Sequence, residues 1–288
     1  YHLTKRIIAA LGLENANPVK TPAIGALGKH PDGLPRREDW NMRSVVGMMM
    51  YLANNTRSDI AYAVNTVARF VNDPKLQHEV AVKRIGRYLL SGLYYDENGK
   101  QRTRGTIYTP PADPSAPIKL DMYCDADFAG LWNAESEKDP TSARSRAGYL
   151  ITLGGTPIIW RSKLMTEICT STAEAEYAAL SLGMRALVPA RTLFFEVCDY
   201  MDVPVQKRST ISHVFEDNNA ALAVATADPP RLTARNKHWN VKHHWFRSHL
   251  GDGIKVLPIA SASQLADLWT KALPEPAFTR LRKEIIGW

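Results

Sequence analysis

The chain has 288 residues, a formal net charge of +7 at pH 7 and 45% hydrophobic residues, which is typical of a globular protein long enough for two domains. No apolar run reaches the length of a membrane span and no signal peptide pattern begins the sequence, so we expect neither a membrane protein nor a secreted one. Cys124, Cys169 and Cys198 are widely spaced, which predicts reduced thiols in the core.

Residues 1–110 are predicted to form a smaller helical segment. A helix over 1–13 is followed by a Pro-, Gly- and Asn-rich linker over 15–35 that we expect to be extended and exposed. Apolar spacing then predicts three helices between residues 40 and 91. Four prolines within 109–117 mark a domain boundary, so we assign 1–110 to the first domain and 111–288 to the second.

The second domain is predicted to be an α/β fold. Alternating or β-branched runs at 117–125, 145–155 and 156–164 predict an antiparallel three-strand meander, with a Gly-Gly turn between the last two strands. A helix, a strand, a helix, a strand and a final helix over 263–273 follow. This order predicts a mixed five-stranded sheet with helices on both faces.

Two glutamates open the first helix of this domain, in the stretch "TAEAEYAAL". Residues two apart on a helix lie about 200° apart, so Glu174 and Glu176 cannot share a face. Steps of three and four from Glu176 reach an apolar stripe, whereas those from Glu174 reach Ser181 and Arg185. Glu176 is therefore expected to face inward and to need a positive partner.

Further acids lie near the ends of the predicted strands. Asp125 and Asp127 end the first strand of the sheet, Asp217 follows the fourth strand, and Asp267 lies on the last helix. Carboxylates that converge in this way repel one another until a divalent cation neutralises them, and Mg²⁺ prefers such hard oxygen ligands. Structural roles stay open for each: a turn residue at 125 or 127, a helix cap at 217 and a macrodipole partner at 267.

Distinctive motifs follow one another over nearly the whole chain: "YCDADFAG" at 123–130, "RSRAGYL" at 144–150, "IIWRSK" at 158–163, "STAEAEYAAL" at 171–180, "EDNNAA" at 216–221, "RNKHWNVKHHWFR" at 235–247 and "QLADLWTKALP" at 264–274. In this order they resemble the Pol polyprotein of copia-type LTR retrotransposons, namely the end of reverse transcriptase followed by its RNase H domain. Residues 43–64 and 81–90 resemble the helical segment that follows the polymerase palm.

The resemblance implies an RNase H-like fold and a catalytic, metal-binding set of four acids. Carried over, these are Asp125, Glu176, Asp217 and Asp267, with Mg²⁺ as the cofactor and Mn²⁺ as a substitute. The family's catalytic aspartate ends the strand, which favours Asp125 over Asp127. The histidine that cellular RNases H carry before the last helix has no counterpart in "PIASAS", and four histidines at 238, 243, 244 and 249 are read as helix or loop surface.

Basic residues indicate where a nucleic acid would bind. Residues 229–251 hold five Lys and Arg, a strip suited to phosphates: Arg231, Arg235, Lys237, Lys242 and Arg247. The surplus charge of residues 1–110, which hold 16 Lys and Arg against 9 Asp and Glu, suggests a second contact, for which the candidates are Arg43, Arg57, Lys83, Arg84 and Arg87. A solvated charged face explains this surplus equally well.

The expected activity is a Mg²⁺-dependent endonuclease that cuts the RNA strand of RNA/DNA hybrids, with a reverse transcriptase upstream in the natural polyprotein and a cytoplasmic, particle-associated location. A silent or domesticated nucleic-acid-binding module is the alternative. An integrase or transposase is a weaker one, because those enzymes place the glutamate last and here it comes second. "YCDAD" only superficially resembles a polymerase YxDD box, so no polymerase activity is expected.

Overall fold

The computed structural model describes residues 1–108, 119–133, 136, 138–203, 210–228 and 237–288. The helices in these ranges are α1 His2–Ala10, α2 Met42–Asn55, α3 Ala61–Ala68, α4 Leu76–Ser91, α5 Thr172–Tyr200, α6 Asn219–Thr226, α7 Lys237–His243, α8 Asp267–Thr270 and α9 Glu275–Ile286. The strands are β1 Leu93–Tyr95, β2 Gln101–Thr103, β3 Leu120–Asp127, β4 Arg146–Leu153, β5 Thr156–Leu164, β6 Ser212–Glu216 and β7 Ile254–Pro258.

The chain divides into two compact units. One comprises Tyr1–Ile107 together with Lys271–Trp288, and the other comprises Tyr108–Thr270. The proline-rich break predicted at 109–117 lies outside the described residues, and the domain limits of 1–110 and 111–288 stay a prediction. In the structure the last 18 residues group with the helical unit.

The helical unit contains the three helices predicted between residues 40 and 91, as α2, α3 and α4. Asn41 caps α2, since its side-chain oxygen accepts a hydrogen bond from the backbone N–H of Ser44 at 2.9 Å. The segment before α2 is less exposed than the sequence predicts. The backbone N–H of Val19 donates to the carbonyl of Arg87, and Thr21 is buried, because this segment packs along α4.

Two elements of this unit are absent from the sequence prediction. One is the β1–β2 hairpin, which is only three residues long on each side. The other is α9, whose boundaries the sequence does mark: Pro274 precedes its first residue, and Gly287 follows its last with a left-handed φ of 90°. Phe278 of α9 packs edge-on against Tyr88 in the core of the helical unit.

The second unit is built on a five-stranded sheet in the order β5-β4-β3-β6-β7. The first three strands along the chain, β3, β4 and β5, form an antiparallel meander, while β6 is parallel to β3 and β7 is parallel to β6. Helix α5 packs on one face, where Gly183 approaches Tyr149, and α8 packs on the other, against Gly148. The predicted RNase H-like fold is therefore confirmed.

The last helix of this unit, predicted over 263–273, is shorter in the structure than in the prediction. It is only the four residues of α8, preceded by a 3₁₀ turn at Ser261–Ser263. Helix α5 has 29 residues and, by length and apolar composition alone, could cross a membrane. One such helix is weak evidence of a span, and the inward face of α5 packs on β3 and β4 around Met122, Tyr149 and Leu180.

Candidate metal centre

Three carboxylates meet at one end of the sheet in the second unit. Asp125 lies near the end of β3, Glu176 in the first turns of α5 and Asp217 directly after β6. One carboxylate oxygen from each lies within 4.8 Å of the other two. The carboxyl ends of the adjacent parallel strands β3 and β6 meet at this edge, which is why residues 92 positions apart in sequence come together.

Two of the three acids in the cluster are shielded from solvent. Asp125 is 1% exposed and Glu176 is 8% exposed, whereas Asp217 is half-buried and gives access from outside. Like charges at this spacing raise each other's free energy in the ionised form, and burial adds to that cost. A divalent cation would reverse both effects, and carboxylate oxygens are the hard donors that Mg²⁺ takes.

Glu216, next to Asp217, is a further buried carboxyl beside the cluster. Its side chain is fully buried, and burial raises the pKa of this carboxyl to about 8. Hydrogen bonds from the Asn218 N–H and the Cys124 thiol oppose that rise in pKa, and the charges of Asp217 and Asp125 add to it. The signal that could have indicated its burial is alternation along β6, which puts Glu216 on the same face as the buried Ser212 and Val214.

Glu174 corrects the expectation that only one of the two glutamates is inward. It is 8% exposed, as Glu176 is, but it serves the helix end. Its carboxylate accepts hydrogen bonds from the Thr170 N–H at 2.6 Å and the Thr170 hydroxyl at 2.8 Å, and its N–H donates to the Ser171 hydroxyl at 3.1 Å. This is a capping arrangement, so Glu174 is buried for a structural reason while Glu176 joins the acidic cluster.

Asp267, the fourth predicted acid, does not belong to the group within 4.8 Å. It is the first residue of α8 and is half-buried. Its helix nevertheless reaches the cluster, because the hydroxyl of Thr270 donates a hydrogen bond to Asp125. The structure thus brings three of the four predicted acids together, and the metal-binding role of Asp267 stays a prediction.

The geometry distinguishes Asp125 from Asp127 and tests whether Asp217 caps a helix. Asp127, which alternation places on the same side as Asp125, lies outside the cluster and faces Arg146 across the β3–β4 ladder. The cap of α6 is Asn218, whose side-chain oxygen accepts from the backbone N–H groups of Ala220 and Ala221 at 3.0 Å each. Asp217 is therefore not the helix cap.

The predicted basic strip is described only in part, since Arg231 and Arg235 lie outside the described residues. Lys237 is exposed at the start of α7. Lys242 forms an ion pair with Glu167. Arg247 donates to the carbonyls of Val224, at 2.8 Å, and Ala227 at the end of α6. Lys242 and Arg247 would each have to give up a contact that the structure shows in order to bind a phosphate. Of these three residues, Lys237 is the one that could bind a phosphate without such a loss.

The cations of the helical unit hold their own segment together. Lys83 pairs with Glu38, Arg84 donates to the Thr21 hydroxyl at 2.7 Å and Arg87 donates to the Asn17 carbonyl at 2.7 Å. Their contact with phosphates stays a prediction. For Arg57 the expectation is wrong, because its side chain is 2% exposed and forms an ion pair with Asp59 at 2.8 Å.

The histidines at 238–249 lie around the N-terminal half of α5. His244 shares a 2.8 Å hydrogen bond with the hydroxyl of Tyr177, and His238 lies 3.4 Å from Glu174. His243 lines a cleft of about 180 Å³ with Arg185 and Cys169. Burial lowers its pKa to about 4, helped by the charges of Lys242 and Arg185, so it is neutral at pH 7. All three cysteines are buried and free, as predicted.

Comparison with known proteins gives relatives over nearly the whole chain. It is 33% identical over 292 residues to a retrovirus-related Pol polyprotein from transposon TNT 1-94 of Nicotiana tabacum, covering 98% of this chain and 19% of that protein. It is 29% identical to the Pol polyprotein from transposon RE1 of Arabidopsis thaliana, covering 99% of this chain and 18% of that one. The chain thus spans about a fifth of the length of these curated relatives.

Among solved structures, the N-terminal RNase H domain of a Mycobacterium tuberculosis protein aligns with 58% of this chain and 97% of its own, at 12% identity and a TM-score of 0.37. No family model matches the sequence. The motif order, the sheet topology and the relatives over 98% of the chain agree, and the chain corresponds, over nearly its whole length, to one segment of the Pol polyproteins of copia-type retrotransposons.

Proposed function

We propose that the chain is a retroelement ribonuclease H, a metal-dependent endonuclease that hydrolyses the RNA strand of RNA/DNA hybrids with two Mg²⁺ ions. The observation that carries this proposal is the convergence of Asp125, Glu176 and Asp217 within 4.8 Å at the open end of the sheet. Mn²⁺ is expected to substitute, because it accepts the same oxygen ligands.

The chain's own residues would bind the cations and hold the reacting groups in place. Asp125 and Glu176, both buried, would fix the cations from the protein side, and the half-buried Asp217 would close the site toward the substrate. When bound, the cations would lower the pKa of a water nucleophile and stabilise charge on the leaving oxygen. Asp267, at the start of α8, is proposed to add a weaker, water-mediated contact.

The substrate is proposed to be a hybrid in the context of a longer polyprotein. The Pol relatives are about five times longer than this chain, which favours a longer natural polyprotein. Within it we propose a reverse transcriptase region upstream of this chain and a place in a cytoplasmic retrotransposon particle. The order Asp-Glu-Asp along the chain favours this assignment over an integrase or transposase, in which the glutamate comes last.

The test is cleavage of end-labelled RNA/DNA, RNA/RNA and DNA/DNA duplexes with Mg²⁺, with and without EDTA. We expect RNA-strand products from the hybrid alone, and none in EDTA. Equal cutting of DNA/DNA would contradict the proposal in favour of a transposase-type nuclease, and no cutting at all would favour a silent binding module.

A matched pair of variants on α5 ties this activity to the cluster. Glu176→Gln and Glu174→Gln make the same change two residues apart at equal exposure of 8%. We expect cleavage to be lost in Glu176→Gln and retained in Glu174→Gln, because Oε2 of Glu174 accepts two hydrogen bonds from Thr170 and Oε1 faces His238, away from the acidic cluster. Loss of activity in both variants to the same extent would contradict the assignment.

A further inference from the structure

Asp125 is bonded by a residue that is not one of the predicted acids. The hydroxyl of Thr270, the last residue of α8, donates a hydrogen bond to Oδ2 of Asp125. Both side chains are buried, with Thr270 at 0% and Asp125 at 1% exposure. The other acceptor within reach of the hydroxyl, the carbonyl of Asp267, is farther away at 3.4 Å. The carboxylate is therefore the favoured acceptor.

A glycine in the sheet makes this contact possible. Gly148 of β4 lies directly opposite Asp125 in the β3–β4 ladder. A Cβ atom at position 148 would lie 2.7 Å from Cγ2 of Thr270, 3.0 Å from Cβ of Trp269 and 3.2 Å from the carbonyl oxygen of Ala266. Two of these neighbours, a Cβ atom and a backbone carbonyl oxygen, cannot move aside unless the backbone moves. With any residue larger than glycine at position 148, α8 could not pack this close to the sheet.

The chain entering α8 is also bonded to β3. The side-chain amide of Gln264, which is fully buried, donates to the carbonyl of Cys124 at 2.8 Å. Its oxygen accepts from the N–H of Ala266 at 3.2 Å. The Gln264 side chain therefore links Cys124, the residue before Asp125, to Ala266, the residue before Asp267. The distance between β3 and α8 is thus fixed by Gln264 before α8 and by Thr270 at its end.

We propose that Thr270 is a positioning residue for the candidate metal centre, with its hydroxyl fixing the orientation of the Asp125 carboxylate and Gly148 allowing α8 to deliver it. The inference rests on the proposed function, since it assumes that Asp125 binds a cation. Hydrogen bonds from outside the ligand set orient metal-binding carboxylates, and removing them typically weakens metal affinity by about 10- to 100-fold.

The test compares Thr270→Val, which keeps the shape and loses the donor, with Thr270→Ser, which keeps the donor. Mg²⁺ affinity is read from the rise in melting temperature during a Mg²⁺ titration, independent of activity. We expect Thr270→Val to bind Mg²⁺ about 10- to 100-fold more weakly and Thr270→Ser to bind close to the native level. Cleavage should follow, with the Val variant needing correspondingly more Mg²⁺ for half-maximal rate.

Two further variants decide whether Thr270 acts through Asp125. In an Asp125→Asn background, Thr270→Val should weaken Mg²⁺ binding no further, because the group it orients is already altered. Gly148→Ala should lower Mg²⁺ affinity as Thr270→Val does, since α8 must move away. An additive effect of the two substitutions at 125 and 270 would overturn the proposal.

The remaining outcomes separate this proposal from the proposed function. Native protein without any Mg²⁺-dependent stabilisation or hybrid cleavage would overturn both. Native stabilisation that Thr270→Val leaves unchanged would overturn only the role of Thr270. If Thr270→Val does not fold in EDTA, whether or not Thr270→Ser folds, the hydroxyl is needed for folding. That result would also overturn the positioning role of Thr270.

Discussion

Each unit of the molecule buries a cluster of ionisable side chains, and the two clusters differ in net charge. In the helical unit, Arg57 forms an ion pair with Asp59 at 2.8 Å, and the hydroxyl of Tyr88 donates to the same carboxylate. Burial lowers the pKa of Arg57, but the charge and hydrogen bonds of Asp59 more than offset it, so the net pKa is raised. This cluster contains both signs and neutralises itself.

The cluster at the sheet edge contains three groups of one sign, Asp125, Glu176 and Asp217. Folding brings these negative charges together although their repulsion opposes it. A buried ion pair is explained by the structure it supports, whereas convergent like charges point to something that binds there. The comparison therefore separates a structural polar cluster from a functional one on physical grounds.

The largest expected effect comes from Asp217→Asn, which keeps the shape and removes one negative charge. Cleavage of the hybrid should fall by orders of magnitude, because a metal ligand is lost. In EDTA the variant should melt slightly higher than the native protein, since repulsion is relieved, and Mg²⁺ should stabilise it much less. A melting temperature several degrees lower in EDTA would mean that Asp217 is structural.

The same substitution in the other cluster, Asp59→Asn, should have the opposite effect on stability. It leaves the buried Arg57 charge without its partner carboxylate, which typically costs about 3–5 kcal/mol in the free energy of unfolding. Urea unfolding measures this, and Mg²⁺ should not change the difference. If Asp59→Asn were neutral for stability, the contrast between the two clusters would not hold.

A smaller effect is expected from His243, whose pKa is lowered to about 4 by burial and by the charges of Lys242 and Arg185, against the charge of Glu174. Its unfolded pKa of about 6.5 is higher, so the unfolded chain binds the proton first and stability falls as pH drops from about 6.5 to 4. Over this range the free energy of unfolding should fall by roughly 1–2 kcal/mol less in His243→Gln than in the native protein. Urea unfolding at pH 7 and pH 4.5 measures the difference. An identical pH dependence would show that His243 is not the group responsible.

The smallest expected effect concerns the exposed Lys237. If it contacts a phosphate, Lys237→Gln should reduce the slope of log affinity against log salt for a catalytically silent protein by close to one unit. Lys242→Gln is the control, because Lys242 already pairs with Glu167. Equal slopes for native protein and the Lys237 variant would mean that this lysine is part of a solvated face.

The elements and the acids of the site differ in how far the sequence predicted them. The period of the apolar residues predicted α2, α3, α4 and α5 and the strands β3 to β7, because core-facing positions repeat at the helical or strand period. The apolar stripe next to Glu176 correctly placed that residue inside. It could not place Glu174, whose burial depends on Thr170 and Ser171 folding back over the helix end.

The sequence by itself determined the class of fold and supplied the candidate acids, since residue type and local period are properties of short segments. Only the tertiary structure decided which acids meet. Asp125 and Asp127 are equivalent by alternation, yet one joins the cluster because of where β3 ends beside β6 and α5. The contact of Thr270 with Asp125 spans 145 positions and depends on Gly148 in a third element, and no local pattern encodes a contact made by three separate segments.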